Sequence, residues 1–534
     1  MIERLVENWL DNVNERGYEA AFCQALAAKG YRIVHRSSHG PMEQGKDVIA
    51  VSQNGEVCAY QLKTGNLDQR IWRSISGEVN DLVESAILHP NIDPTVPFKP
   101  FLVTNGEITD TVRLDIVAKN LAWRNRQREP LQLILKHDLF NWFVELQGRF
   151  LPTTPVDFQR FLGLYLAEKR DFLDKRNFCE FLESFLPIDD EIPRAEIRRV
   201  FSATAVIANY VLSGFQSVEN HLAVAEGWII VITYLLRIAE SFRPYRRLWE
   251  PALRLCIAGM EDSLQLLADE ALSNPHLIEG DPSVDMPFIA ARKTIVLGYL
   301  AGFAIYNRLA EKKHPQDFDF FGKVLQGFSP SQLHLWSESA SPYIFAMIAF
   351  VWLYGREGQA CRMAGSVANT ICKANSRSQP VGLPDAYFEP QDLMRAMALG
   401  ENPFGHHQSF VGRSQSIQTF VEFIARRYRK RMLELLWHGI SEIDPDEFVP
   451  TKAADLCRWR SKKGDSQTRR WPHPQDWNSL LRVAEKRETP DLLLCADFPE
   501  LVVLFFLVFP HRMTPALSRF IDLRIMDSVN SAGR

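Results

Sequence analysis

The sequence predicts a multidomain chain: an α/β domain over residues 1–148, built as a mixed sheet flanked by helices, followed by a large all-α region over 149–534. Three observations predict it. The 534 residues exceed what one ordinary core can organise. Up to about residue 148, hydrophobic periodicity switches repeatedly between about 2 and 3.6 residues, the mark of strands packed by helices. After Leu151-Pro152-Thr153-Thr154-Pro155 the β-like runs stop and apolar helical segments follow one another.

In chain order, the N-terminal part offers a helix over Tyr18–Lys29, a strand over Tyr31–Arg36, and two strands, Asp47–Val51 and Val57–Lys63, joined by the hairpin signal Asn54-Gly55. A helix over Leu67–Leu88, a strand over Lys99–Thr104, a helix over Thr109–Arg126, a strand over Leu131–Leu135 and a helix over Asp138–Gln147 complete it. Beyond, clusters of Pro, Gly and Ser mark breaks at 279–287, 376–391, 402–408 and 461–475. The first two are the expected places for the helical region to divide into two lobes. No repeat of fixed period is present, which argues against a regular solenoid.

Composition narrows the function classes. Hydrophobic residues make up 46 % and charged residues 24 % of the chain, ordinary globular usage, and the formal net charge is -4. Any nucleic-acid site must therefore be a local basic patch. Eight scattered cysteines with no CxxC pair argue against a zinc ribbon or a disulfide framework. The acidic, amphipathic N-terminus lacks the character of a secretory signal, so a reducing, cytoplasmic location is expected. Four apolar runs, Gly227–Leu236, Thr294–Tyr306, Ser339–Gly355 and Leu501–Phe509, are shorter than the roughly 20 residues that span a bilayer and read as buried core helices.

The chemistry concentrates between residues 17 and 65. Glu19 lies near the start of a helix, where a carboxylate suits the positive end of the helix dipole. Asp47 follows Gly45-Lys46 at the start of a strand, and Gln61 and Lys63, two apart on a strand, share one face. Mg²⁺ takes oxygen ligands and keeps several waters, so one or two carboxylates with a neutral oxygen suffice. Asp47, the Gln61 side chain and the Leu62 carbonyl are candidate ligands, with Glu19 binding directly or through water. Lys63 is placed to orient a water and offset charge on a phosphate.

These segments resemble the Mrr-like restriction endonucleases, the branch of the PD-(D/E)XK superfamily that carries QxK in place of (D/E)xK. GYEAAFCQALAAKGYRIV is similar to that family's opening helix, GKDVIAV to its Asp-bearing strand and YQLKTG to its QxK strand. PFLVTNGEITDTVRLDIVAKN and LQLILKHDLFNWF are similar to its later strand–helix pairs, so the likeness covers about 130 residues. The loop SHGPMEQGKD departs from the family's Gly-rich approach, keeping only Gly40 and Gly45.

The resemblance implies a restriction-endonuclease-like fold over 1–148 and a Mg²⁺- or Mn²⁺-dependent hydrolysis of DNA phosphodiesters. It implies metal binding by Asp47 and Gln61, support from Glu19 and a catalytic role for Lys63. It further implies the effector of a bacterial restriction or antiviral defence system, with the helical region recognising substrate or trigger. DNA is the expected partner and RNA the other nucleic acid these residues allow, alongside a second copy or a partner protein. Outside the motif, Arg70 and Arg73 are candidate phosphate contacts, equally readable as a solvated helix face. Arg426-Arg427-Tyr428-Arg429-Lys430-Arg431 and Arg458–Trp471 combine basic and aromatic residues, a pattern that holds nucleic acid or faces solvent. The competing function is an inactive nuclease-fold scaffold or nucleic-acid-binding protein.

Geometry adds a condition. A two-residue Asn54-Gly55 turn would place Asp47 opposite Leu62, on the wrong face from Gln61 and Lys63, because a one-residue slip reverses every side chain. An odd-length loop or a β-bulge is therefore expected.

Overall fold

A computed structural model describes the chain apart from residues 1, 37–43, 148–154, 166–170, 189–191, 275–285, 313–321, 323–333, 400–409, 461–463, 469–476 and 533–534. The chain divides into two compact units, Met1–Glu261 and Asp262–Arg534. The first thus continues well past residue 148. Of the expected lobe boundaries, most of 279–287 lies outside the described residues.

In the first unit, helices α1 (Ile2–Asn12) and α2 (Glu15–Ala28) precede strands β1 (Arg32–Arg36), β2 (Val48–Val51) and β3 (Val57–Lys63). Then come α3 (Gln69–Glu84), β4 (Phe98–Thr104), α4 (Asp110–Asn125), β5 (Gln132–Ile134) and α5 (Lys136–Gln147). The sheet runs β1-β2-β3-β4-β5, antiparallel from β1 to β3 and parallel from β3 to β5. Only α1 was absent from the sequence-based expectation. Helices α6 (Pro155–Tyr165), α7 (Lys175–Phe185), α8 (Ile197–Gln216), α9 (His221–Ala239) and the start of α10 (Arg246–Ser273) complete the unit.

Alternation along β3 sorts the two faces of the sheet. Val57 and Ala59 join Ile49, Leu102 and the inward stripe of α3 (Trp72, Ile75, Val79, Leu82) in one core, with Val112 and Ile116 of α4. Tyr60 points the other way, its ring 5.2 Å from that of Phe22 on α2 and 4.9 Å from that of Phe101. By the same alternation Gln61 and Lys63 belong to the α3 face. On the opposite side α2 packs against α8, tied by Asn209 Nδ2 donating to the Gly17 carbonyl at 2.6 Å. This is buried amide satisfaction, which fixes where α2 begins.

The second unit is built around nearly all-apolar helices. Ser341–Leu353 is buried along almost its whole length and lies against Met286–Leu309, where a side chain on Gly298 would come within 2.6 Å of Tyr343 Cβ. The expected all-α region is corrected on one point. It also holds a three-stranded sheet, β6 (Arg413–Ser414), β7 (Asp444–Pro450) and β8 (Gly464–Thr468), with β7 and β8 antiparallel. DPDEFVP has two prolines and three acids and gives no strand signal by propensity; its extended form is set by pairing with distant segments. All eight cysteines are buried and free. Two helical stretches, His221–Ser273 and Ile289–Leu309, are long and apolar enough to cross a membrane, and their apolar windows are 94 % and 83 % buried within the protein.

The RRYRKR stretch is not one continuous helix. Its first helix ends at Ala425 and the next starts at Lys430, separated by a turn in which Tyr428 adopts φ +55°. Arg426 and Arg427 are buried on Asp522, at 2.8 and 2.6 Å, so they are internal ion-pair partners and not a nucleic-acid surface. The break expected at 402–408 lies outside the described residues.

Candidate active site

The β2–β3 hairpin has the expected odd-length connection. Its ladder pairs Val48 with Tyr60 and Val51 with Val57, leaving an odd connection of residues 52–56. Ser52 N–H donates to the Glu56 carbonyl at 2.9 Å and Gly55 N–H to the Ser52 carbonyl at 3.0 Å, with Gly55 at φ +82°. Asn-Gly thus supplies the left-handed residue of a longer loop, not a two-residue turn. Val51 and Ile49 pack on the α3 core, and Asp47 precedes the strand, placed near the end of β3 by its contact with the Leu62 amide and by the charge it exerts on Lys63.

At the end of the ladder a side chain replaces the backbone. Asp47 N–H donates to the Tyr60 carbonyl at 2.9 Å, and Asp47 Oδ2 accepts the Leu62 N–H at 2.6 Å. A strand residue's N–H and C=O point to the same edge, so the Leu62 carbonyl also points toward Asp47. Two neighbours hold this approach in place. Gly45, at φ +71°, lies so close to α3 that a Cβ would come within 2.4 Å of the Glu78 carbonyl. The buried Lys46 ammonium donates to the carbonyls of Gln44 (3.2 Å) and Asp81 (3.0 Å).

Burial pushes the Lys46 pKa down to about 8, although Asp81 acts to raise it. A lysine whose folded pKa lies below its unfolded value penalises folding while it is charged. That penalty is present below about pH 8 and fades as pH rises toward the unfolded value near 10. Wild type is therefore expected to gain up to roughly 3 kcal/mol relative to Lys46→Met across that window. Paired denaturation curves at pH 7.5 and 10 measure it, and a pH-independent difference would contradict the shift.

Gln61 and Lys63 converge on a residue the sequence did not single out. Glu78 of α3 accepts from Gln61 Nε2 at 2.8 Å and pairs with Lys63 Nζ at 2.9 Å through the same Oε2. This orients the Gln61 amide. Its nitrogen is used, while its buried Oε1 has no hydrogen-bond donor among the described residues. A buried acceptor of this kind is open to a donor or a cation.

Around Lys63 the charges are one-sided. Burial acts to lower its pKa, but the bond to Glu78 and the charges of Glu15, Glu78 and Asp47 outweigh it and hold the ammonium above its ordinary range. Glu15 responds in the opposite sense: burial, with Asp47 and Glu78, raises its carboxyl against the pull of Lys63. Tyr18, between Glu15 and Glu19, donates its hydroxyl to the Lys63 carbonyl at 2.7 Å and fixes the end of β3. Glu78→Gln keeps a bond to both side chains but removes one anion, so Lys63 is expected to titrate at lower pH. Lysine side-chain NMR across pH 8–11 reads this directly. An unmoved titration would mean the Lys63–Glu78 pair does not form in solution.

Glu19 sits elsewhere. Its buried carboxylate takes Arg36 Nε at 2.9 Å, while Glu15, one turn earlier on α2, supplies the charge that reaches Lys63 and Asp47. Arg70 and Arg73 lie exposed on α3. Among the described residues no group of three His, Cys, Asp or Glu side chains converges as a metal site. A cation here would rest on Asp47, the Gln61 amide oxygen and main-chain oxygen, a hard oxygen set suited to Mg²⁺. Glu78 was hidden because α3 carries several acids. Only its position next to inward-facing Val79 separates it from the others.

Comparison with protein-family models, with curated proteins and with solved structures gives no match to this chain.

Proposed function

We propose that the first unit is a Mg²⁺- or Mn²⁺-dependent nuclease of the Mrr-like, QxK type, cutting DNA phosphodiesters, and that the helical remainder supplies substrate or trigger recognition for a restriction or antiviral system. One observation carries the reading. The buried Gln61 Oε1, without a donor among the described residues, lies on the face that alternation assigns to Lys63, one residue before the Leu62 amide on which the Asp47 carboxylate is fixed. The order of elements, helix, Asp-bearing strand, QxK strand and two strand–helix crossovers, agrees with the resemblance. So does the position of Lys63 at the carboxyl end of β3, where parallel and antiparallel pairing meet. Open sheets tend to bind ligands outside the carboxyl ends of their strands.

Each residue has a task that follows from its contacts. Asp47 and Gln61 Oε1 hold the cation. When bound, such a cation polarises the phosphate and makes water a better nucleophile. Lys63, kept protonated by its acidic neighbours, cannot act as a base; it orients water and neutralises charge developing on the phosphate. Glu78 holds Gln61 and Lys63 in register. Glu15, with its raised carboxyl, is the acid best placed to accept a proton in their neighbourhood.

Cleavage of supercoiled plasmid by wild type with Mg²⁺, and its loss with chelator and with substitutions at Asp47 or Lys63, tests the proposal. Equal cleavage by wild type and both variants would discredit the site.

A further inference from the structure

We infer that an arginine-lined cleft along β1 binds single-stranded DNA through its phosphates. The cleft, about 600 Å³, lies within the first unit and is lined by β1, α8 and the first turns of α10. Five arginines, Arg32, Arg36, Arg198, Arg247 and Arg254, face it against one glutamate, Glu250, in a chain whose net charge is negative. Concentrating one sign of charge in a concave wall focuses potential there, the electrostatic footprint of a polyanion site.

Not all five are committed. Arg254 is paired with Glu250 at 3.1 Å and Arg36 with Glu19 at 2.9 Å. Arg32, Arg198 and Arg247 have no ion-pair or hydrogen-bond partner among the described residues. These three guanidiniums gather positive charge along one cavity, and guanidinium geometry matches phosphate oxygens.

The rest of the lining selects the form of the ligand. Tyr31 contributes a ring on which a base can stack, and β1 is an edge strand whose outer main-chain groups are unpaired by the sheet. The volume falls within the roughly 300–1,000 Å³ of small-ligand sites, enough for a few nucleotides of one strand. It is too small to enclose a duplex, whose major groove alone is about 12 Å wide. Arg36 connects this cleft to α2, whose Tyr18 and Glu15 act on Lys63. Calling the bound strand a substrate rests on the nuclease reading; its binding does not.

The test is fluorescence anisotropy of a labelled thymidine 20-mer with the full chain in chelator, over a salt series. The triple variant Arg32→Gln/Arg198→Gln/Arg247→Gln is expected to bind at least about tenfold more weakly near 0.1 M salt. Its log K against log salt slope should be shallower by about 2, at roughly 0.7 per lost phosphate contact. Asp47→Asn should bind as wild type does, so binding without cleavage would retain the cleft while removing the nuclease. Unchanged affinity and slope in a triple variant that melts like wild type would overturn the inference. So would displacement of the 20-mer by equimolar duplex, ATP or polyglutamate.

Discussion

Lys63→Ala is expected to lower the plasmid-cleavage rate by on the order of 10²–10³-fold with DNA affinity unchanged, the usual scale for removing one preorganised charge from a transition state. The variant loses its bond to Glu78 but leaves no buried group stranded, since Glu78 is half exposed and can be solvated. Lys63→Arg should rescue little, because a planar guanidinium cannot place its charge where a compact ammonium sat. Asp47 needs more care. Asp47→Ala would strand the Leu62 N–H and mix a folding cost of about 1–3 kcal/mol into the kinetics. Asp47→Asn keeps an acceptor for that amide while removing the charge a cation needs, so it should be as inactive as Asp47→Ala and melt closer to wild type. An active Asp47→Asn would count against a metal-dependent mechanism at this site.

The largest stability effect is expected in the second unit. Asp522 accepts from Arg426 Nε at 2.8 Å and from Arg427 Nη2 at 2.6 Å, both side chains under 10 % exposed. Alongside, Arg487 bridges Glu422 (2.8 Å) and Glu447 (3.2 Å). Three arginines are thus balanced by three carboxylates inside the protein. Removing one partner leaves uncompensated buried charge, so Asp522→Ala should cost about 3–5 kcal/mol.

Burial acts to raise the Asp522 pKa, and the two arginines more than reverse it. Its contribution is therefore complete above the ordinary carboxylate range, about pH 4, and is lost as pH falls through the lowered folded value. Hydrogen exchange of peptides covering 417–427 and 515–525 should show the loss as early opening. Wild-type protection in Asp522→Ala would mean the pair adds nothing.

Legibility in the sequence followed the range of the interactions. The five strands of the first sheet were readable to within about two residues because alternation and turn chemistry are local signals. The parity of the hairpin was readable too, since a face requirement constrains loop length. Glu78, Arg36 and the role of Glu15 were not, because each is chosen by a neighbour distant in sequence. Strand β7 failed for the same reason. RRYRKR failed differently: composition shows that six residues are mostly basic but not that Asp522, almost a hundred residues on, neutralises two of them.

Helix α3 touches both arms of the site at once. One of its residues, Glu78, grips Gln61 and Lys63 by side chain and backs Gly45 by main chain, and one turn along, the Asp81 carbonyl takes Lys46. The strand bearing Asp47 and the strand bearing Lys63 are therefore fastened to a single rigid rod. A single substitution on that rod, at Glu78, thus reaches both strands, through Gln61 and Lys63 on one and the backbone approach at Gly45 on the other.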